Sequence, residues 1–126
     1  MNIPENLKYT KEHEWVKIEG NTCIVGITDY AQGELGDVVY VDIDLELSEI
    51  IKGDSFGTIE AVKTVSDLYA PGSGKVLEVN ALLTDEPQTI NTDPYGEGWL
   101  IKFEIKNMND LDELLDSAAY KEFIGQ

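Results

Sequence analysis

Hydrophobic residues along most of this chain fall in short runs separated by turns rich in glycine, asparagine and aspartate. Val39, Val41 and Ile43 alternate with Tyr40 and Asp42, and this period of two is typical of a strand with one buried face. Other runs have the length and the β-branched or aromatic composition of strands. They span residues 14–18, 22–27, 76–80 and 99–105. The pattern predicts a mainly β protein.

Two segments carry helical signals instead. Thr28 is a good cap for a short helix near residues 28–33, which nearby glycines keep short. Asn109 or Asp110 can cap a helix over about residues 110–123, where apolar residues recur at i, i+3, i+4 and i+7. That apolar stripe consists of Leu111, Leu114, Leu115 and Ala118. Between the last two predicted strands, residues 85–98 are crowded with helix and strand breakers, which predicts a long connection.

The length of 126 residues suits one folded domain with a hydrophobic core. Many short strands with turns between them, followed by a terminal helix, favour a small sandwich or flattened barrel with mostly antiparallel pairing. We therefore predict a single domain over residues 1–126.

The charge of the chain narrows the choice of partners. It has 25 acidic residues against nine basic ones, all of them lysines, for a formal net charge of −16. Such a field repels nucleic acid and anionic membrane surfaces, and it favours partners with positive docking patches. It also keeps a protein in solution, and this simpler explanation suffices for most of the surface.

The sequence contains too few cysteines and histidines for a disulfide or for a zinc site built from these residues. Cys23 and His13 are the only residues of their kinds, so an internal disulfide is excluded and a cysteine and histidine zinc site lacks ligands. Cys23 lies in a predicted strand and is expected to be a small buried hydrophobic residue. No metal site and no catalytic pair is predicted. Neither a secretory signal nor a membrane-length apolar run occurs, which favours a bacterial cytoplasm, or the mitochondrial matrix for a processed organellar chain.

A lysine stands at the centre of the most informative stretch. Strand-like residues precede and follow Lys63, and Pro71-Gly72-Ser73-Gly74 then turns the chain. This predicts a hairpin over about residues 55–70 that displays Lys63 at its tip on a rigid base. An exposed lysine in a turn is by itself usually only solvated.

The neighbours of this lysine give it a specific meaning. Glu60-Ala61-Val62-Lys63, with Ala-Pro-Gly-Ser-Gly-Lys-Val following, resembles the hairpin in which lipoyl and biotinyl domains carry their modified lysine. Biotin carriers usually flank that lysine with methionines, whereas Val62 and Thr64 stand here. The resemblance therefore favours lipoate over biotin.

Over nearly its full length the chain resembles one family of such carriers, the H proteins of the glycine cleavage system. Ala61 stands where many relatives have serine, and Glu12 where a small polar residue can occur. The matching segments are residues 13–16, 25–32, 35–39, 60–63, 66–67, 70–71, 74–76, 78–80 and 94–100.

The resemblance implies a lipoyl group in amide linkage on Lys63, in a lipoyl-type barrel-sandwich of two antiparallel sheets with a terminal helix. It implies a non-catalytic carrier that takes the aminomethyl group of glycine from a pyridoxal-phosphate-dependent glycine decarboxylase to a tetrahydrofolate-dependent aminomethyltransferase. Dihydrolipoyl dehydrogenase then restores the disulfide, and lipoate-attaching enzymes act on the lysine.

A loaded arm would carry a cationic amine on a labile carbon–sulfur linkage, which calls for shelter from water and for a carboxylate partner. Glu14 and Asp67 are the candidate residues, because Asp67 follows the hairpin closely and Glu14 belongs to a matching segment. Both could equally be ordinary solvated acids.

Two other functions remain open at this point. The chain could carry octanoyl or lipoyl groups mainly to donate them to other lipoyl-dependent proteins. It could instead be an unmodified acidic interaction module in which Lys63 is only a turn residue.

Overall fold

Nine strands form two antiparallel sheets in the computed structural model, which describes residues 1–126. The strands are β1 Lys8–Tyr9, β2 Glu14–Glu19, β3 Thr22–Ile27, β4 Val38–Asp42, β5 Glu49–Ile50, β6 Ser55–Ala61, β7 Val65–Tyr69, β8 Gly74–Val79 and β9 Ile101–Ile105. The larger sheet has the order β1-β2-β3-β9-β8-β5, and the smaller one has the order β4-β6-β7. All pairs are antiparallel, which confirms the predicted fold class.

The helices are short and lie between or after the strands. They are α1 Asp29–Leu35, α2 Leu82–Asp85, α3 Thr89–Thr92 and α4 Ser117–Phe123, with a 3-10 helix at Met108–Leu111. The short helix expected near residue 28 is α1, whose cap Thr28 accepts a hydrogen bond from the N–H of Ala31. The connection over residues 85–98 is not wholly irregular, because α3 lies in it and α2 ends at its start.

The predicted start of the C-terminal helix is wrong. Residues 108–111 form a 3-10 helix, Leu115 pairs with Tyr9 in an isolated antiparallel bridge, and α4 begins only at Ser117. Asp116 caps it, with its side chain accepting from the N–H of Ala119. The apolar stripe was misleading because Leu111 and Leu115 are held by contacts with distant parts of the chain, and those contacts decide the backbone conformation.

The predicted alternation in β4 is also wrong at one position. Val38 is buried and Val39 is 52% exposed, because the register between β4 and β6 shifts between Val38 and Tyr40. A β-bulge of this kind inserts one residue and moves the side chains before it to the other face. Val41 and Ile43 are buried as the pattern predicted.

Two hydrophobic clusters hold the layers together. The main one contains 22 buried residues between the sheets, among them Cys23, whose predicted burial in a strand is confirmed. The second lies on the outer side of the larger sheet and joins the N-terminal segment to α4. Its members are Ile3, Leu7, Tyr9, Trp15 and Tyr120. The smaller sheet thus packs on the larger one through the main cluster, and the tip of its β6–β7 hairpin projects from this core.

Candidate functional site

Lys63 lies at the tip of the β6–β7 hairpin. The N–H of Ala61 donates to the carbonyl of Thr64 at 2.8 Å, so only Val62 and Lys63 lie between the last paired residues. The N–H of Val62 donates to the carbonyl of Asp37 at 2.9 Å and ties the tip to the entry of β4. Lys63 is exposed and belongs to none of the three salt bridges of the chain. Its ammonium group is therefore accessible on a fixed backbone.

Gly36 packs against the aliphatic stem of the Lys63 side chain. It follows α1 with φ +78° and ψ −160°, a conformation that is essentially restricted to glycine. A Cβ at this position would lie 3.3 Å from Cε and 3.4 Å from Cδ of Lys63. The methylene groups of Lys63 thus pass close over the glycine backbone, at the end of α1.

A cavity of about 290 Å³ lies between α1, the outer edge of β7 and the segment that leads into β2. Glu14 and Asp67 both line it, together with Leu35, the residue before Gly36. The structure therefore brings the two candidate acids into one cavity. Gly36, which packs against the stem of Lys63, lies beside that cavity.

Glu14 is a buried carboxylate, only 2% exposed. Its Oε2 accepts from the N–H of Tyr69 at 2.8 Å, and its Oε1 accepts from the hydroxyl of Thr10 at 3.3 Å. Burial raises the pKa of Glu14 to about 8, although the two hydrogen bonds act in the opposite direction. The nearby charge of Glu12 raises this pKa further. Glu14 is therefore not an ordinary solvated acid.

Asp67 has a different environment. It is exposed on β7, and the hydroxyl of Tyr69 is 3.4 Å from its Oδ2, which is a long hydrogen bond. The negative charge of Asp67 is the main cause of a raised pKa of the Tyr69 phenol. Asp67 thus adds charge at the mouth of the cavity, whereas Glu14 lies at its buried end.

Two further acids line the cavity, and neither is among the site residues predicted from the sequence. Glu12 and Glu34 line it with Glu14 and Asp67, and no lysine does. Glu34 lies on α1, and only the tertiary fold brings it near residues 12–14. In the sequence Glu12 departs from the family pattern, and its position next to His-Glu-Trp-Val is the one signal that points to the cavity.

His13 lies between two of these acids and has a strained backbone. Its φ of +65° is the only positive value outside glycine. Its Nδ1 is 3.0 Å from the hydroxyl of Tyr120 on α4, and that hydroxyl is 2.8 Å from Oγ1 of Thr28, the cap of α1. Burial lowers the pKa of His13. Tyr120 therefore connects α4 to the wall of the cavity.

A larger cavity of about 580 Å³ lies on the other side of Glu14. Lys11 and Lys52 line it as well as acids, and Asp67 does not. Its mixed charge suits a cationic ligand less well than the smaller cavity, which four acids line and no lysine does, so we assign the candidate site to the smaller one.

We also searched the fold for a reactive thiol, a metal-ligand cluster and a membrane-spanning helix. The thiol of Cys23 is fully buried, and burial raises its pKa to about 11. No three histidine, cysteine or acidic side chains are grouped so that they could hold a metal ion. None of the helices is long and apolar enough to cross a membrane.

Comparison with known proteins was decisive for the family. The family model described as glycine cleavage H-protein matches residues 7–126. The chain belongs to the glycine cleavage H-protein family. The members of this family are lipoyl carriers of the glycine cleavage system, so the resemblance seen in the sequence is confirmed.

Individual relatives agree with this family over all or nearly all of their lengths. The chain is 55% identical to the glycine cleavage system H protein of Staphylococcus haemolyticus over 126 residues, 100% of both chains. It is 57% identical to that of Symbiobacterium thermophilum over 122 residues, 97% of this chain and 95% of the relative. The crystal structure of an H protein from Mycobacterium marinum superposes with a TM-score of 0.89 at 41% identity, covering 98% of this chain and 100% of that one.

Proposed function

We propose that Lys63 carries a lipoyl group in amide linkage and that the chain shuttles the aminomethyl group of glycine between enzymes. The observation that carries this proposal is the position of Lys63, exposed at a hairpin tip with its stem over Gly36 and beside a cavity lined by four carboxylates. A lipoyl group, when bound, would supply the disulfide that is reduced as it accepts the aminomethyl group, and the dithiol left after transfer would be reoxidised to the disulfide. The protein supplies position, shelter and docking.

In this proposal the chain is a non-catalytic carrier with three enzyme partners. It receives the aminomethyl group at the pyridoxal-phosphate-dependent glycine decarboxylase and presents it to the tetrahydrofolate-dependent aminomethyltransferase. It then presents the reduced arm to dihydrolipoyl dehydrogenase, and lipoate-attaching enzymes modify Lys63 beforehand. A net charge of −16 favours partners with basic docking surfaces and disfavours nucleic acid and anionic membranes.

The residues of the acidic cavity fit a cationic load. Glu14 is fixed by two hydrogen bonds at the buried end, and Asp67 lies at the mouth. A cation between them would offset the cost of keeping the Glu14 carboxylate charged away from water. We therefore propose that Glu14 holds the amine and that Asp67 adds to the attraction at the entrance.

An intact mass measurement tests the attachment of lipoate. Protein from its native cells should carry a lipoyl-sized increment that peptide mapping assigns to Lys63, and Lys63→Arg should carry none. An octanoyl increment would favour the second candidate function, donation of the acyl group to other proteins. An unmodified Lys63, in cells whose other lipoyl proteins are modified, would refute the carrier function.

A release assay tests the shelter. Glu14→Gln should release aminomethyl from the loaded carrier about tenfold faster than the parent, since a charge-assisted hydrogen bond to the amine contributes on the order of 1.4 kcal/mol. Asp67→Asn should release it about threefold faster, since attraction by an exposed charge is weaker. Glu46→Gln is the matched control, because Glu46 is an exposed acid outside the cavity. Equal release from all four proteins would refute the shelter.

A further inference from the structure

Strand β7 is the outer strand of the smaller sheet, and one of its edges is unpaired. The bond from Ala61 N–H to the carbonyl of Thr64 defines the alternation along the hairpin. In an antiparallel ladder every second residue turns its N–H and carbonyl away from the partner strand. Those residues here are Val65, Asp67 and Tyr69. Tyr69 confirms the direction, because its N–H donates outward to Glu14.

The N–H groups of Val65 and Asp67 have no such partner. Neither donates in any backbone hydrogen bond outside the strand ladders, and no side chain accepts from them. Their carbonyls receive only contacts of 3.4 Å from the hydroxyls of Thr64 and Ser66. Both residues are exposed. Two donors are therefore open on the edge of β7 that faces the acidic cavity, which Asp67 lines.

This open edge is too short for a strand of another protein. The carboxylate of Glu14 occupies the N–H of Tyr69, so the row of free donors ends after Asp67. Addition of a strand to a sheet edge depends on a series of main-chain hydrogen bonds. A single amide needs only one donor. An acylated Lys63 carries one secondary amide, two residues before Val65 and four before Asp67.

We propose that the free edge of β7 holds this amide, with the N–H of Val65 or Asp67 donating to the carbonyl that joins the acyl arm to Lys63. The inference rests on the proposed function, which places an acyl arm on this lysine. To make this contact the stem of Lys63 would leave its position over Gly36 and cross to the β7 side of the hairpin. The base of the arm would then lie along β7, with its free end toward Glu14. A neutral hydrogen bond at an exposed edge is weak enough for the arm to leave when a partner enzyme needs it.

Amide hydrogen exchange of the full-length ¹⁵N-labelled chain tests this inference. Three forms are compared: unmodified, lipoylated by the attaching enzyme, and carrying Nε-octanoyl-lysine incorporated at position 63 during translation. The N–H of Val65 or Asp67 should exchange about fivefold more slowly in both acylated forms, as one ordinary hydrogen bond predicts. Ser66 and Leu68, whose N–H groups face β6, are internal controls and should not change. Asp67→Ala keeps the N–H and should keep the protection.

Several results would overturn the inference while leaving the carrier function intact. One is unchanged exchange at Val65 and Asp67 in a chain whose mass proves the arm. Another is slower exchange at these N–H groups with the lipoyl arm but not with the octanoyl arm, which would assign the contact to the sulfur-containing ring of the lipoyl group and not to the amide. Protection only after a partner enzyme is added would identify a strand of that partner as the occupant. A bare Lys63 after treatment with the attaching enzyme would instead contradict the proposed function, and the octanoyl form would still test the edge.

Discussion

At the scale of single residues, the buried carboxyl of Glu14 is the least expected feature of the chain. It is hydrogen-bonded by Thr10 and Tyr69 and belongs to none of the three salt bridges of the chain. An isolated buried acid is costly to ionise, so its pKa rises. Such a cost is tolerable where the site binds a cation.

The pH dependence of stability should report on Glu14. Its pKa rises from 4.5 to about 8 on folding, so between these values the folded chain holds a proton that the unfolded chain has lost. The stabilisation is complete below pH 4.5 and is lost as the pH rises toward 8. Between pH 4.5 and 8 the unfolding free energy of the parent should therefore fall by up to about 1.4 kcal/mol per pH unit because of Glu14, and Glu14→Gln should abolish this contribution. Urea unfolding across this range measures it, and parallel curves for parent and variant would contradict it.

Gly36 gives a second prediction at the residue scale. Gly36→Ala should reduce the free energy of unfolding by about 1–3 kcal/mol through backbone strain. It should also slow acylation of Lys63, because the added Cβ displaces the lysine stem.

Gly53→Ala is the control for Gly36→Ala. Gly53 also has a positive φ, +86°, but nothing lies within 4 Å of its Cβ position. It should lose stability without any effect on acylation. Urea unfolding and a mass time course with the attaching enzyme separate the two effects. Equal acylation rates in both variants would show that Gly36 does not guide the arm.

At the scale of elements, α4 supports the cavity from behind. It has only seven residues, which is too short to be stable alone. Tyr120 attaches it to the rest of the chain by stacking on Tyr9, with ring centroids 4.7 Å apart, and through its hydroxyl to Thr28 and His13. The helix therefore depends on its cap and on this contact.

Removal of the α4 cap should loosen that support. Asp116→Ala loses the 2.8 Å hydrogen bond to the N–H of Ala119 and should cost about 1 kcal/mol of unfolding free energy. Asp112→Ala is the comparison, since Asp112 is an exposed acid whose side chain caps no helix. Equal urea midpoints for the two variants would contradict the capping role.

At the scale of the whole molecule, like charges dominate. A net charge of −16 is spread over 126 residues, and the three salt bridges are long, at 3.6 to 3.9 Å, and largely exposed. Exposed pairs of this kind contribute little. Stability must come mainly from the two hydrophobic clusters, against the mutual repulsion of the acids.

Salt should therefore stabilise this protein. Raising NaCl from about 0.02 M to 0.2 M shortens the screening length from roughly 20 Å to 7 Å and weakens the repulsion. We expect the Tm to rise by a few degrees, and a scan at constant pH checks it. The same salt should weaken docking to basic partner surfaces, so affinity and Tm should change in opposite directions. A Tm that is flat or falls would show that repulsion is not important.

Patterns among neighbouring residues were enough to predict the local features of this fold. Strand periods, the cap at Thr28 and the burial of Cys23 follow from local patterns, and the hairpin residues around Lys63 indicated the family. These predictions succeeded because a strand, a cap and a turn are specified by residues within a few positions of one another.

The features that the sequence did not predict depend on contacts between distant segments. The bulge that exposes Val39, the late start of α4 and the burial of Glu14 all arise where separate segments meet. Glu14 and Tyr69 are 55 residues apart, yet their hydrogen bond ends the open edge of β7 and fixes the acid in its cavity. Short-range sequence patterns do not predict which side chain will bind to the edge of a strand that is distant in the sequence. The acidic cavity exists only because packing of the two sheets and α1 brings these residues together.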